Sequence, residues 1–163
     1  MSKKSEFEKL LAETELEMDD ILQEKCSEDN ISQKGKFNVI NINQIEFDKE
    51  VVEEPLEWYR PGIQISVLNK LKKIKRSYDF REGKVDLHGE TINSAQLNIN
   101  RHMEKCFISG IKQILIITGK GTAEISPLKK LVFIMLKKYS IVEAFCLATN
   151  HGGSGAFYVQ IKN

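Results

Sequence analysis

The most constraining feature of this chain is the run Ile114-Leu115-Ile116-Ile117, followed within two residues by Gly119-Lys120-Gly121. Four apolar residues without alternation mark a strand covered on both sides. Upstream, Thr91 can cap a helix that carries Ile92, Ala95, Ile99, Met103, Cys106 and Phe107 on one face, and Gly110 ends it. Downstream, Ser126-Pro127 reads as N-cap and first position of a second helix with the stripe Leu128, Leu131, Val132, Met135 and Leu136. Lys137 and Lys138 fall in its last turn, where they suit the helix dipole. Before the first helix, Val85 and Leu87 alternate with Asp86 and His88, a half-buried strand end broken by Gly89. Val142–Ala148 reads as a third strand, and Ala156–Ile161 as a fourth with Phe157, Val159 and Ile161 on one face. The order is β-α-β-α-β-β. Strand–helix–strand units of this length give parallel strands joined by right-handed crossovers.

In such sheets ligands gather beyond the carboxyl ends of the strands. Asp86 and His88 end the first strand, Gly119-Lys120-Gly121 follows the second, and His151-Gly152-Gly153 follows the third if that strand is also parallel. Three unusual segments should therefore meet. Asp86 and His88 are two apart and leave the strand on one face. Asp86 can orient the imidazole or hold a divalent ion, and His88 can move a proton at a phosphate oxygen or sugar hydroxyl. The bland alternative has Asp86 capping a backbone N–H and His88 filling a surface gap. The Gly119–Gly121 loop lets backbone amides approach an anion, with the charge of Lys120 beside them; the bland alternative is a plain turn. His151 is a third polar group or a turn residue.

The rest of the chain divides by charge. Residues 1–57 hold 7 Lys and no Arg against 16 Asp and Glu, a net of −9, whereas residues 58–163 carry a net of +10. The basic part suits phosphate, and the acidic arm suits a basic surface. Phe7, Leu10, Leu11, Thr14, Met18, Ile21 and Leu22 stripe one face of an acidic N-terminal helix, which needs a packing partner, in this chain or another protein. Residues 26–57 read as a linker, with Phe37–Ile42 as an alternative short strand. Residues 58–83 form a basic lead-in: Trp58-Tyr59-Arg60-Pro61-Gly62 punctuates the chain, and Ile65, Leu68, Leu71 and Ile74 line a short helix. Lys72, Lys73 and Arg76 on that helix are candidate phosphate contacts, the alternative being a solvated connector. Cys26, Cys106 and Cys146 form no CxxC pair and read as idle thiols. With no apolar stretch of spanning length, the expectation is a cytoplasmic protein with no membrane partner.

Val85-Asp-Leu-His-Gly, Thr118-Gly-Lys-Gly-Thr and His151-Gly-Gly-Ser-Gly-Ala-Phe-Tyr-Val, in that order, closely resemble the three signature segments of the Smr (small MutS-related) domain. The resemblance covers residues 84–162, and the basic lead-in looks like that of stand-alone bacterial Smr proteins. It implies an α/β two-layer sandwich of βαβαββ order, similar to the C-terminal domain of translation initiation factor 3, behind an N-terminal extension. It also implies an endonuclease acting on DNA or RNA, in some members on ribosomes, with Asp86 and His88 carrying cleavage. The family's second motif is commonly His-Gly-x-Gly. Gly119 and Gly121 match it, whereas Thr118 stands in the histidine's place. The alternative function is a non-catalytic module that binds nucleic acid or the ribosome.

Overall fold

A computed structural model describes residues 37–41, 49–122 and 125–162. The predicted helix over residues 7–22 and Cys26 lie outside the described residues. The elements run β1 (Trp58–Tyr59), α1 (Ile65–Lys72), β2 (Lys84–Asp86), α2 (Ile92–Ile108), β3 (Gln113–Ile117), α3 (Pro127–Lys138), β4 (Val142–Ala148) and β5 (Gly153–Ile161). The βαβαββ order expected from residue 84 onward is present. The caps are those the sequence indicates: Thr91 accepts the Ser94 N–H at the start of α2, and Ser126 accepts the Lys129 N–H at the start of α3.

The sheet has the order β1-β4-β5-β3-β2. β2 and β3 are parallel neighbours, Asp86 opposite Ile117, as a right-handed crossover through α2 requires. β4 does not touch β3. β5 lies between them, antiparallel to both, so β4 still runs in the direction of β3. The physical reason is the tight β4–β5 connection, which returns the chain beside its own strand and fills the slot next to β3. The carboxyl ends of β2, β3 and β4 and the start of β5 consequently lie along one end of the sheet. β1 is an addition to the expected order: Trp58 and Tyr59 pair antiparallel with Phe145 and Ala144. Arg60 fixes that strand, donating from Nε to the Val142 carbonyl at 2.8 Å and from its guanidinium to the Tyr139 carbonyl at 2.5 Å.

Alternation along the strands separates two apolar layers. Ile114, Ile116, Phe145, Phe157, Val159 and Ile161 face α2 and α3 and join Leu87, Ile99, Met103, Leu131 and Met135 in the main core. Leu115, Ala144, Cys146, Ala156 and Tyr158 face the other way, against Leu68, Leu71, Ile74 and Phe80 of the lead-in. The continuous apolar run of β3 is thus covered on both sides. Leu68 and Leu71 are almost fully buried, each contributing about 1.5–3 kcal/mol.

The expected linker over residues 26–57 is docked where it is described. Ile40 enters the main core at 8% exposure, and Leu56 at 2%. Asn100, buried in α2, treats Ile40 as a strand partner would. Its Oδ1 accepts the Ile40 N–H at 3.0 Å, and its Nδ2 donates to the Ile40 carbonyl at 2.8 Å. The same Oδ1 accepts the Tyr139 hydroxyl at 2.7 Å. Phe37 stacks on Tyr139 with ring centroids 5.6 Å apart. The polar composition around Ile40 hid this docking, because a side-chain amide supplies the backbone's hydrogen bonds where no strand does. Among the described residues no helix is long and apolar enough to cross a membrane.

Candidate functional site

The site begins where β2 ends. Leu87 is fully buried and still on the ladder, its N–H donating to the Ile117 carbonyl at 2.7 Å. Asp86 and His88 flank it and point the other way, toward solvent. The chain then turns, with the Glu90 N–H donating to the Leu87 carbonyl and Gly89 at a φ of 74°. A positive φ at the third residue of a turn suits glycine, so Gly89 is what lets His88 stop at this point.

Asp86 and His88 form a hydrogen-bonded pair. His88 Nδ1 lies 2.6 Å from Asp86 Oδ1, and the His88 backbone N–H donates to the same oxygen at 3.1 Å. An ionised carboxylate only accepts, so Nδ1 carries the proton and Nε2 is left as the acceptor. Partial burial pushes the Asp86 carboxyl up, but the bonds from the His88 ring and backbone, with the electrostatic attraction of His88 and Lys84, outweigh it. The net pKa lies below the ordinary value. Both side chains are open to solvent, His88 at 74% and Asp86 at 41% exposure, so the pair can meet a large substrate.

The glycine loop after β3 arrives beside the pair. A methyl group placed on Gly119 would stand 3.4 Å from the His88 Cβ. Gly119 and Gly121 have φ of 80° and 68°. The loop is registered by β5: the N–H groups of Thr118 and Gly119 both donate to the Gly155 carbonyl, at 2.8 and 3.0 Å. Gly155 has no room for a side chain, since a methyl there would sit 2.8 Å from the Gly119 carbonyl carbon and 2.9 Å from the Lys120 nitrogen. The Gly119 N–H is therefore committed within the fold, whereas the Lys120 side chain is exposed. Thr118 is 4% exposed, and its hydroxyl turns to the carbonyls of Gly119 and Gly155, each at 3.2 Å.

A cavity of about 550 Å³ opens next to the pair, bounded by His88, Gly89, Thr118, Gly119 and the first turns of α2 and α3. Both helices thus present their N-terminal ends to it, which favours negative charge there. Glu90 lines the cavity as well, and its carboxylate accepts from Ser94 Oγ and Asn98 Nδ2 along α2. Among the described residues no group of three or more His, Cys, Asp or Glu side chains is placed to hold a metal ion. Asp86 is the only carboxylate of the pair, with Oδ1 taken twice by His88. This donor set does not fit a resident divalent ion.

Not every predicted site residue meets here. His151 engages both ring nitrogens elsewhere: Nδ1 is 2.5 Å from the Tyr158 hydroxyl and Nε2 3.2 Å from the Tyr78 carbonyl. Its ring stands edge-on to Phe80. It braces the lead-in against the sheet, and Gly152 and Gly153 form the turn and strand start beside it. Lys72 is paired with Glu57 at 2.7 Å. Lys73 and Arg76 are exposed and flank Ile74, whose carbonyl accepts the Asn150 side chain at 2.7 Å. That bond brings the end of the basic helix to the same end of the sheet as His88. Cys106 and Cys146 are buried thiols, each pushed up to about 11 by burial. Sequence reasoning missed Gly155 and Asn150. The glycine-rich spacing around Gly155 was visible, but its close approach to another loop is a tertiary fact.

Residues 85–162 match the family model described as the Smr domain. Among curated proteins, the "Probable DNA endonuclease SmrA" of Escherichia coli strain K12 is 28% identical over 138 residues, which is 82% of this chain and 67% of that protein. The "Endonuclease MutS2" of Clostridium tetani is 26% identical over 125 residues, 76% of this chain but 15% of its own length. Among solved structures, that of YdaL, a stand-alone small MutS-related protein from Escherichia coli, superimposes with a TM-score of 0.60. It is 29% identical, and the match covers 83% of this chain and 96% of that one.

Proposed function

We propose, from the match of residues 85–162 to the Smr domain, that the chain binds nucleic acid at this end of the sheet and cleaves a phosphodiester bond there. The observation that carries the reading is the exposed Asp86–His88 pair, with Nδ1 held by the carboxylate and the His88 Cβ beside Gly119 of the glycine loop. Asp86 fixes the tautomer and orientation of the ring. His88 Nε2 takes a proton from the attacking water as its oxygen bonds to phosphorus. The ester P–O bond breaks, the leaving oxygen takes a proton from solvent water, and the His88 imidazolium returns its proton to solvent. The Lys120 ammonium steadies the charge on the phosphoryl oxygens. Lys73 and Arg76, at the same end of the sheet, hold phosphates further along the strand, and the net charge of +10 over residues 58–163 suits a polyanion. The curated relatives named for endonuclease activity support this class of reaction. DNA and RNA are both candidate substrates, and the ribosome is a candidate location of the latter.

Thr118 favours a second reading. Its hydroxyl is bonded to backbone carbonyls, so it offers no titrating group at the place where the family motif commonly has histidine. A binding module without turnover would have the same basic surface. Supercoiled plasmid and structured RNA incubated with wild type, Asp86→Ala and His88→Ala, with and without chelator, separate the two. Cleavage by wild type alone supports the nuclease. Equal cleavage by all three proteins sinks it, and salt-sensitive binding without turnover establishes the module.

A further inference from the structure

Phosphodiester cleavage does not use the walls of the cavity beside His88. Ile92 from the first turn of α2 and Pro127 and Leu128 from the first turn of α3 line it. Ile92 and Leu128 are only partly buried, at the margin of the main core, and Pro127 is exposed. At about 550 Å³ the cavity lies within the range of about 300–1,000 Å³ common for small-molecule sites. The rest of the lining, with Glu90, Thr91, Thr118, Ser126 and the helix N-terminal ends, is polar and can meet phosphate or sugar, but either one placed against the three apolar side chains would lose hydration and gain no hydrogen bond from them. A nucleobase suits such walls, because its flat faces are apolar and its glycosidic bond attaches it to a phosphodiester one sugar away. Enzymes that work on single nucleotides seat an unpaired base between aromatic or apolar side chains in this manner. In a continuous duplex both faces of a base are covered by its neighbours, so only an unstacked base can enter.

We propose that the cavity lined by Ile92, Pro127 and Leu128 takes one unpaired nucleobase, and that the phosphodiester beside that nucleotide is the one that meets His88. The proposal rests on the nucleic-acid reading above and narrows it. The substrate is a strand with an unpaired nucleotide, in a bulge, loop or single strand, rather than continuous duplex. His88 and Gly89 form the rim of the cavity, so a base inside it keeps its backbone at the Asp86–His88 pair. The strand on either side of that nucleotide runs over the exposed Lys120, Lys73 and Arg76, whose charge complements its phosphates.

The test measures binding of the full-length wild-type chain to three fluorescent hairpins, each made as DNA and as RNA. One is fully paired, one carries a single bulged nucleotide, and one carries the same bulge without its base. The bulged hairpin is expected to bind about tenfold more tightly than the paired one, and removal of the base to abolish the gain. Leu128→Trp, which fills the cavity, is expected to bring the bulged hairpin down to the paired level, with circular dichroism and thermal melting reporting its fold. Equal binding of all three hairpins by wild type overturns the base pocket while leaving the nucleic-acid reading intact. Binding to none of them overturns both.

Discussion

His88 grips a single oxygen of Asp86 from two directions, through its ring at 2.6 Å and its own backbone N–H at 3.1 Å. The pair is therefore set by local chain geometry, and substrate is not needed to assemble it. Asp86→Asn should leave the fold and the binding surface in place while losing the acceptor-only partner of Nδ1. Cleavage of plasmid or RNA should fall by about 10²-fold or more in Asp86→Asn and in His88→Ala, the typical worth of general acid–base catalysis. Binding measured in parallel should change little. Loss of binding equal to loss of cleavage would mean that the pair is a contact surface.

Acid should act on the pair in a defined direction. The folded-state pKa of Asp86 lies below its ordinary 3.8. A group whose pKa is lowered on folding contributes stability that is present above the unfolded value and is lost as pH falls through the folded one. The bonds to His88 should thus be intact throughout the neutral range and fail only in strong acid. Carboxyl-carbon NMR titration should give a midpoint below 3.8 for Asp86, and His88→Ala should move it upward. A midpoint unmoved by His88→Ala would refute the assigned cause.

Gly155 has no space for even one added carbon. In Gly155→Ala the methyl would stand 2.8 Å from the Gly119 carbonyl carbon and 2.9 Å from the Lys120 nitrogen, both backbone atoms. The loop must move or the strand must bend, at a cost of about 1–3 kcal/mol. Thermal melting should show the loss, and amide shifts of Gly119 and Lys120 should show the displacement. An unaltered melting temperature would contradict this packing.

Asn100 supports three groups at once, the N–H and carbonyl of Ile40 and the hydroxyl of Tyr139. Asn100→Leu keeps the volume but strands buried polar atoms. Each unsatisfied group costs about 1–3 kcal/mol, with Gln96 still serving the Ile40 carbonyl. A destabilisation of about 2–4 kcal/mol in denaturant unfolding is expected. Proteolysis between residues 37 and 57 should accelerate as well. A neutral substitution would show that this segment is not fastened through Asn100.

Much of the fold was legible because it rests on local signals. Thr91 and Ser126-Pro127 mark helix starts by their own chemistry, and Phe157, Val159 and Ile161 reveal a face by period alone. The pairing of β5 between β3 and β4 was not legible, since hydrophobic alternation does not name a strand's neighbours. The same holds for β1, where two residues are too few to show a period. In the site, Asp86, His88 and the glycine loop were placed together correctly by the rule that ligands gather at strand ends. His151 was drawn to that end too, but the face of the sheet on which its ring lies depends on Tyr158 and Tyr78, which come from other parts of the chain. The docking of Ile40 depends on two amides of α2, Asn100 and Gln96, which sequence alone cannot distinguish from any other polar helical residue.

The turn between β4 and β5 serves two masters. On one side Asn150 and His151 hold the carbonyls of Ile74 and Tyr78 in the lead-in; on the other the Gly155 carbonyl holds the loop that carries Lys120. A pull on the lead-in reaches that loop through a single hairpin, without crossing the main core. The basic helix is then more than a patch of charge. It hangs from the same hairpin as the loop, so a polyanion bound at Lys73 and Arg76 should shift the amide resonances of Gly119 and Lys120 as well.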